Sequence, residues 1–206
     1  MVGKEPLEQI RKDTQRVYQT HAVQFEQGRN KSLFEKPWLD RFHAGFPKGA
    51  RILDLGCGGG GVISTHLIEQ GFQLTGVDFT PSMIDIAKQR HPDHTWLLQN
   101  IARLQLDTKF DGIISWNGFF HLTPDEQRQT LPTLAALLVE KGRLMLTIGH
   151  EHGAVTGTVA GELVYHSSLS EEEYRHILTQ AGLTQIEICL EDPTCNFHSI
   201  LLASRT

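Results

Sequence analysis

Two carboxylates and a run of glycines are the residues best placed to do chemistry in this 206-residue chain. In "RILDLGCGGGGVISTHLIEQG", Arg51 to Gly71, five of the six positions from Gly56 to Gly61 are glycine. That density destabilises regular structure, so the backbone there must pass close to something that a side chain would displace. Gly56, Gly58 and Gly61 fit the G-x-G-x-x-G spacing of a dinucleotide-binding turn, and Asp78 follows roughly 20 residues on, where such a turn places its ribose acceptor. On spacing alone NAD is a candidate. Asp54 points elsewhere: a carboxylate at the mouth of the crevice repels a pyrophosphate and suits a cationic group.

Other reactive side chains lie downstream. His121 titrates near neutrality and is a candidate base, with a capping or carbonyl-bound imidazole as the structural reading. Tyr165, His166, Asp192 and His198 would form a polar lid over an acceptor, or stand as loop residues. Trp116, Phe119 and Phe120 give an apolar wall, or core packing. His150-Glu151-His152 cannot share a helix face, and no second pair has zinc spacing. An exposed strand-end cluster is expected there, and no metal.

The elements that must position these groups alternate. "RILDL", "FQLTGVD", "TWLLQN", "FDGIISW" and "GRLMLTIG" read as strands. "VISTHLIEQG", "TPSMIDIAKQR" and "TPDEQRQTLPTLAALLV" read as intervening helices, the last capped by Thr123. Alternation of this kind predicts a doubly wound α/β fold with a mostly parallel sheet. "SEEEYRHILTQAG" is a further helix, with Ser170 as N-cap and Gly182 as stop. "TQIEICLED" and "FHSILLASR" lie too close together for a crossover helix, so they must pair antiparallel and end the sheet in a hairpin. Residues 1–48 read as a helical cover, and 150–169 as a Gly- and Ser-rich loop insertion near the acceptor site, with room for a short strand pair. With no repeat or linker, one domain over 1–206 is expected.

Composition narrows the class. The net charge is −5, which disfavours a nucleic-acid partner. No apolar run is long enough to span a bilayer and the N-terminal stretch lacks a signal-peptide core, so no membrane association is expected. Cys57, Cys189 and Cys195 are an odd number, which fits reduced thiols in the cytoplasm.

"LDLGCGGG" (Leu53 to Gly60) and "GVDFTPSMI" (Gly76 to Ile84) resemble the first two motifs of the class I S-adenosylmethionine (SAM)-dependent methyltransferases. "FDGIISW" and the closing strand pair fall where that family has them, and coverage runs from about Arg51 to the C-terminus. "EKPWLDRF", "FFHLTPDEQ", "YHSSL" and "EDPTCNFHS" are similar to segments of small bacterial members of unassigned substrate. The resemblance implies a seven-stranded sheet with the last strand antiparallel, SAM as cofactor and S-adenosylhomocysteine as product. It implies that Asp54, Gly56, Cys57, Gly58 and Gly60 hold the methionine and ribose side. Asp78 would accept from the ribose hydroxyls, with Phe79 and Met83 flanking the adenine. Asn100, followed by Ile101, stands where many members have an aspartate for the adenine amino group. Trp116 would border the cofactor, and Tyr18 and Trp38 would close over its tail where the N-terminal helices fold back as a cover, or else pack within those helices. Methyl transfer is an in-line displacement that needs alignment more than a catalytic group. His121, Tyr165 and His198 are the candidates for any catalytic role. Ser115-Trp116-Asn117-Gly118 lacks the Asn/Asp-Pro-Pro-aromatic run of the base-amino enzymes, which points to a small-molecule acceptor. An NAD(P)-dependent oxidoreductase and a non-catalytic SAM-binding module remain open at this point.

Overall fold

The computed structural model describes residues 4–28 and 30–205. The ends of the expected 1–206 domain, and position 29 within the expected cover, lie outside the described residues. Helices α1 (Lys4–Gly28) and α2 (Lys36–His43) precede β1 (Arg51–Leu55), α3 (Val62–Glu69), β2 (Gln73–Asp78), α4 (Pro81–Arg90) and β3 (Thr95–Leu98). Then come β4 (Phe110–Ser115), α5 (Pro124–Leu137), β5 (Leu138–Ile148), β6 (Gly153–Val159), β7 (Glu162–Ser168), α6 (Glu171–Gln180), β8 (Leu183–Asp192) and β9 (His198–Arg205). The main sheet has seven strands in the order β3-β2-β1-β4-β5-β9-β8. Its first five strands pair in parallel, while β9 runs antiparallel to both β5 and β8. The doubly wound sheet closing on an antiparallel last strand is as expected.

Period-2 alternation along the strands divides the apolar side chains between two faces. Leu53, Ile113, Leu144, Leu146 and Leu201 pack with α5 and α6 residues such as Leu131, Leu134 and Tyr174. Ile52, Ile114, Met145 and Ile200 pack on the other face with Trp38, Phe42, Leu67 and Ala87. Local signals set the helix ends. Thr123 and Glu126 form a reciprocal capping box on α5, and Ser170 caps α6 by accepting from Glu173 N. Pro37 and Pro81 occupy first turns, where a missing N–H costs nothing.

In residues 150–169 the strand pair is longer than expected: most of the stretch is an antiparallel hairpin of β6 and β7, paired over seven positions from Gly153↔Ser168 to Val159↔Glu162. Ala160 (φ 49°) and Gly161 (φ 85°) supply two successive left-handed residues, the backbone that a tight two-residue hairpin turn requires. Gly157 looks like a strand breaker in the sequence. It is needed because a Cβ there would lie 2.4 Å from His166 Cε1 across the ladder.

A buried polar network fastens this hairpin to the sheet helices. Tyr174 donates to Gln127 Oε1 (2.6 Å), and Gln127 Nε2 donates to Leu122 O (3.1 Å) and Ser167 O (2.9 Å). Tyr174→Phe therefore leaves Gln127 Oε1 buried without that donor. It is expected to cost roughly 1–3 kcal/mol, read as a lowered urea midpoint with an unchanged slope.

Candidate functional site

The glycine turn links β1 to α3. Gly56 N (2.7 Å) and Cys57 N (3.1 Å) both donate to Val77 O at the end of β2. Gly56, Gly58 and Gly60 have φ of 71°, 54° and 64°, whereas Gly61 has an ordinary negative φ as the N-cap of α3. The left-handed positions thus follow an acidic-x-Gly-x-Gly-x-Gly pattern starting at Asp54, and the G-x-G-x-x-G reading is the coincidental one. Each glycine has its own neighbour. A Cβ on Gly56 would meet Gly118 Cα at 3.0 Å, and one on Gly60 would meet Trp96 at 2.9 Å.

Asp78 closes β2 and is almost fully buried. Its Oδ2 accepts from Gly58 N (3.0 Å) and its Oδ1 from Thr80 N (2.9 Å). Burial raises its pKa, opposed chiefly by those two amides. Beside it a cavity is lined by Tyr18, Phe25, Gly56, Gly58, Asp78, Phe79, Thr80, Met83, Ile101, Trp116, Asn117, Gly118 and His121. An adjoining cleft adds Gln15 and Asn100 and shares Phe79, Ile101 and His121. Asn100 Oδ1 accepts from Ala102 N (2.8 Å) and so caps the 3-10 turn Ile101–Arg103.

Not every expected residue reaches the cavity. Asp54 is buried and accepts from Ser64 Oγ of α3 (2.6 Å), behind the turn and outside the cavity lining. Cys57 and Gly60 are likewise packed into the protein rather than against the cavity. Trp38 packs in the core below α2 and donates its indole N–H to Asp192 Oδ2 (2.7 Å), so it does not close over this site. Asp192 in turn caps the turn Pro193–Cys195.

Helix α1 does cover the site. Gln15 Nε2 donates to Phe79 O (2.9 Å), Thr14 Oγ1 accepts from Tyr165 N (3.0 Å), and Arg16 and His21 both reach Glu162 of β7. At its far end Glu26 accepts from Gly59 N (3.1 Å) and pairs with Arg90 (2.8 Å), which also donates to Gly59 O. The sequence reading missed Glu26, Phe25, Thr80, Asn117 and Gly118. For Asn117 a signal existed: Asn-Gly after a strand marks a left-handed residue, and its φ is 57°.

His121 sits on the 3-10 turn Phe119–His121. Its Nδ1 lies 2.8 Å from Tyr165 O, and a carbonyl only accepts, so Nδ1 carries the proton. Nε2 then accepts from Tyr18 Oη at 3.0 Å. Burial, reinforced by the neighbouring His166, pulls His121 down to about 4. Tyr165 contributes its main chain: alternation sends His166 to the Phe120 side, and the Tyr165 phenol lines neither cavity. A second cavity of about 370 Å³ shares Tyr18, Phe25 and Asn117 with the first and adds Phe120, His150, Val164, His166 and His198. His198 stacks on Trp116 (centroids 5.3 Å apart) and holds Cys195 O through Nδ1.

Residues 52–142 match the family model described as a methyltransferase domain. That match runs from β1 into β5 and takes in less than half of the chain. It is 32% identical over 145 residues to the ubiquinone biosynthesis O-methyltransferase of Coxiella burnetii, covering 67% of this chain and 61% of that one. The chain therefore spans less than two thirds of that relative. Among solved structures, a SAM-bound amino pentose methyltransferase from Micromonospora echinaspora superposes with a TM-score of 0.69 at 20% identity, covering 91% of this chain and 96% of the other. A 1,6-didemethyltoxoflavin N1-methyltransferase from Burkholderia thailandensis, with bound substrate and S-adenosylhomocysteine, gives 0.67 at 22%, covering 93% and 88%. At those identities the likeness is one of fold.

The lowered pKa of His121 has a consequence for stability. Unfolded, the imidazole takes a proton below its ordinary 6.5; folded, it stays neutral down to about 4. Stability therefore falls as pH drops through that window, and this residue's share is at most about 3 kcal/mol. Urea midpoints measured across the window should fall less steeply for His121→Gln than for the wild type.

Proposed function

We propose that the protein is a SAM-dependent methyltransferase acting on a small, flat, neutral acceptor that carries a hydroxyl or ring N–H. The observation that carries this reading is Asp78, a buried carboxylate fixed by two amides at the rim of a cavity floored by Gly56 and Gly58. Each carboxylate oxygen that accepts one amide has a second lone-pair direction, which suits a vicinal diol such as a ribose. Phe79, Met83 and Ile101 give an apolar slot for a purine. The residues present therefore fit SAM, which supplies a sulfonium-activated methyl when bound. The family match gives the oxidoreductase reading no support.

The second cavity is the acceptor site in this reading, because it meets the first at Tyr18, Phe25 and Asn117. Tyr18 commits its proton to His121, so toward the acceptor its oxygen acts as a hydrogen-bond acceptor. It would receive the acceptor's O–H or N–H and turn the nucleophilic lone pair toward the methyl. His121 is held neutral and is too weak a base to abstract a proton early, so it works as a positioning residue through Tyr18. The acceptor's proton leaves to solvent after the new bond to carbon has formed. Phe120 and His198 line this cavity and offer aromatic surface to a ring, and Trp116 backs His198 from the first cavity.

Helix α1 leaves only about 50 Å³ of free space in the cofactor cavity. Loading therefore requires α1 to lift, and its ties through Gln15, Arg16 and Glu26 are polar contacts that water can replace. The described residues of 1–48 are in this sense the cover of the site. The three free cysteines and the net charge fit a cytoplasmic protein without a nucleic-acid partner. Among the described residues no helix is long and apolar enough to cross a membrane.

Isothermal titration with SAM tests the cofactor assignment: the wild type should bind it and should not bind NAD. Asp78→Asn should lose about 1.5–3 kcal/mol of SAM affinity, and unchanged affinity would remove the ribose role. With small phenols and N-heterocycles as acceptors, Tyr18→Phe should slow turnover by up to about 10²-fold while SAM affinity stays near that of the wild type. If the wild type binds SAM yet methylates no acceptor from a metabolite extract, the protein is a SAM-binding module.

A further inference from the structure

On the sheet face that α2 and α3 cover, the end of α2 meets α3. His43 is the last residue of α2 and His66 lies in the last turn of α3, with ring centroids 5.8 Å apart. The Nε2 atoms of both rings are buried and receive no hydrogen bond from any described residue. Asp40, one turn before His43 on α2, brings a carboxylate oxygen within 3.8 Å of His43 Nε2. One ligand atom from each of the three residues lies within 4.8 Å of the others.

A buried ring nitrogen without a partner carries a cost that native structures rarely leave standing. Two such atoms facing one carboxylate demand a common explanation. We propose that Asp40, His43 and His66 bind a divalent transition-metal ion, with zinc the natural occupant, and that solvent completes a tetrahedral shell. Two imidazoles and one carboxylate are a recurrent three-ligand set for zinc with an open fourth position. The edge of a tetrahedron with zinc-ligand bonds of ~2.0–2.1 Å is close to the Asp40–His43 separation, so closure around an ion requires small side-chain rotations. Burial disfavours the protonated form of both rings.

Lys36 opposes the site, since its ammonium now pairs with Asp40 at 2.7 Å. That pair is exposed and of the i, i+4 kind, which is worth only a few tenths of a kcal/mol and yields readily to a doubly charged ion. The ion would clip α2, which packs on the sheet face beneath the glycine turn, to α3, which begins at that turn. The site is separate from the proposed chemistry: none of its ligands lines either the cofactor or the acceptor cavity.

Untagged protein titrated with Zn²⁺ by calorimetry near neutral pH is the test, with Co²⁺ added in parallel as a spectroscopic probe. One equivalent should bind, Co²⁺ should give the intense visible bands of a tetrahedral ion, and zinc should raise the melting temperature. His66→Asn and His43→Asn should each weaken binding by at least about tenfold and abolish the thermal shift. Asp40→Asn, exposed and therefore safe for folding, should lower affinity and change the Co²⁺ spectrum. His152→Asn should change nothing. Failure of the wild type to take up one equivalent, or equal uptake by the two histidine variants with native circular dichroism, would overturn the site. Neither result bears on SAM binding.

Discussion

A carboxylate buried at the end of a strand must find donors or lose its charge, and Asp78 finds them in the two segments that flank the cavity. Its Oδ2 pulls Gly58 N inward, and its Oδ1 takes Thr80 N at the entry to α4. Hydrogen bonds to a charged acceptor are worth about 1.5–3 kcal/mol each, enough to hold a turn whose glycines resist any regular conformation. The two amides that reach Val77 O complete the clamp. Gly58 can answer Asp78 because it occupies the left-handed region without strain, and that conformation puts its bare Cα on the cavity wall. The fold thus spends one side chain to fix both the floor and the rim of the site.

The cover depends on that clamp and returns support to it. Gln15 holds the carbonyl of Phe79, one residue beyond Asp78, and Glu26 holds the amide of Gly59, one beyond Gly58. Between these two ties lies Tyr18, which lines both cavities and reaches His121. His121 is oriented from behind by the Tyr165 carbonyl, and Tyr165 N is taken by Thr14 of α1. Helix, 3-10 turn and hairpin are therefore linked in a closed loop of hydrogen bonds around the place where cofactor and acceptor would meet. A movement of α1 that admits a cofactor must alter the surroundings of His121 as well.

What the sequence disclosed follows from how local each cause is. The strand–helix alternation, the antiparallel strand pair that ends the sheet, the Thr123 cap and the Asp54-to-Gly60 pattern all rest on spacings within a few residues, and each was legible. The hairpin of β6 and β7 was legible only as a short strand pair within a loop, because Gly157 weakens the strand signal and its reason, the ring of His166, lies across the ladder. Once that stretch was read mainly as a loop, alternation could not separate Tyr165 from His166, and of the two only His166 lines the second cavity. Trp38 failed for a different reason: on an amphipathic helix an aromatic residue reads alike as lid or as core, and only the position of Asp192, far along the chain, decides it. Glu26 left no signal because its partner is a backbone amide.

Cys57 measures what the turn does to a visiting charge. Its thiol is buried between Gly56 and Gly58, and its pKa is pushed well up, first by burial and then by Asp54, Asp78 and Glu26 in that order. Three carboxylates therefore act on one point of the turn, and Arg90 is paired with only one of them. The expected role of Asp54 changes accordingly. Turned toward Ser64, it stands outside the cavity lining, but in a medium of low dielectric its charge still acts through the turn. A pyrophosphate brought to this backbone would meet a negative field that its amides cannot outweigh, since Asp78 and Glu26 already occupy Gly58 N and Gly59 N. A sulfonium or ammonium meets the same field as attraction. The glycines make room for either ligand, and the carboxylates around them select the cation.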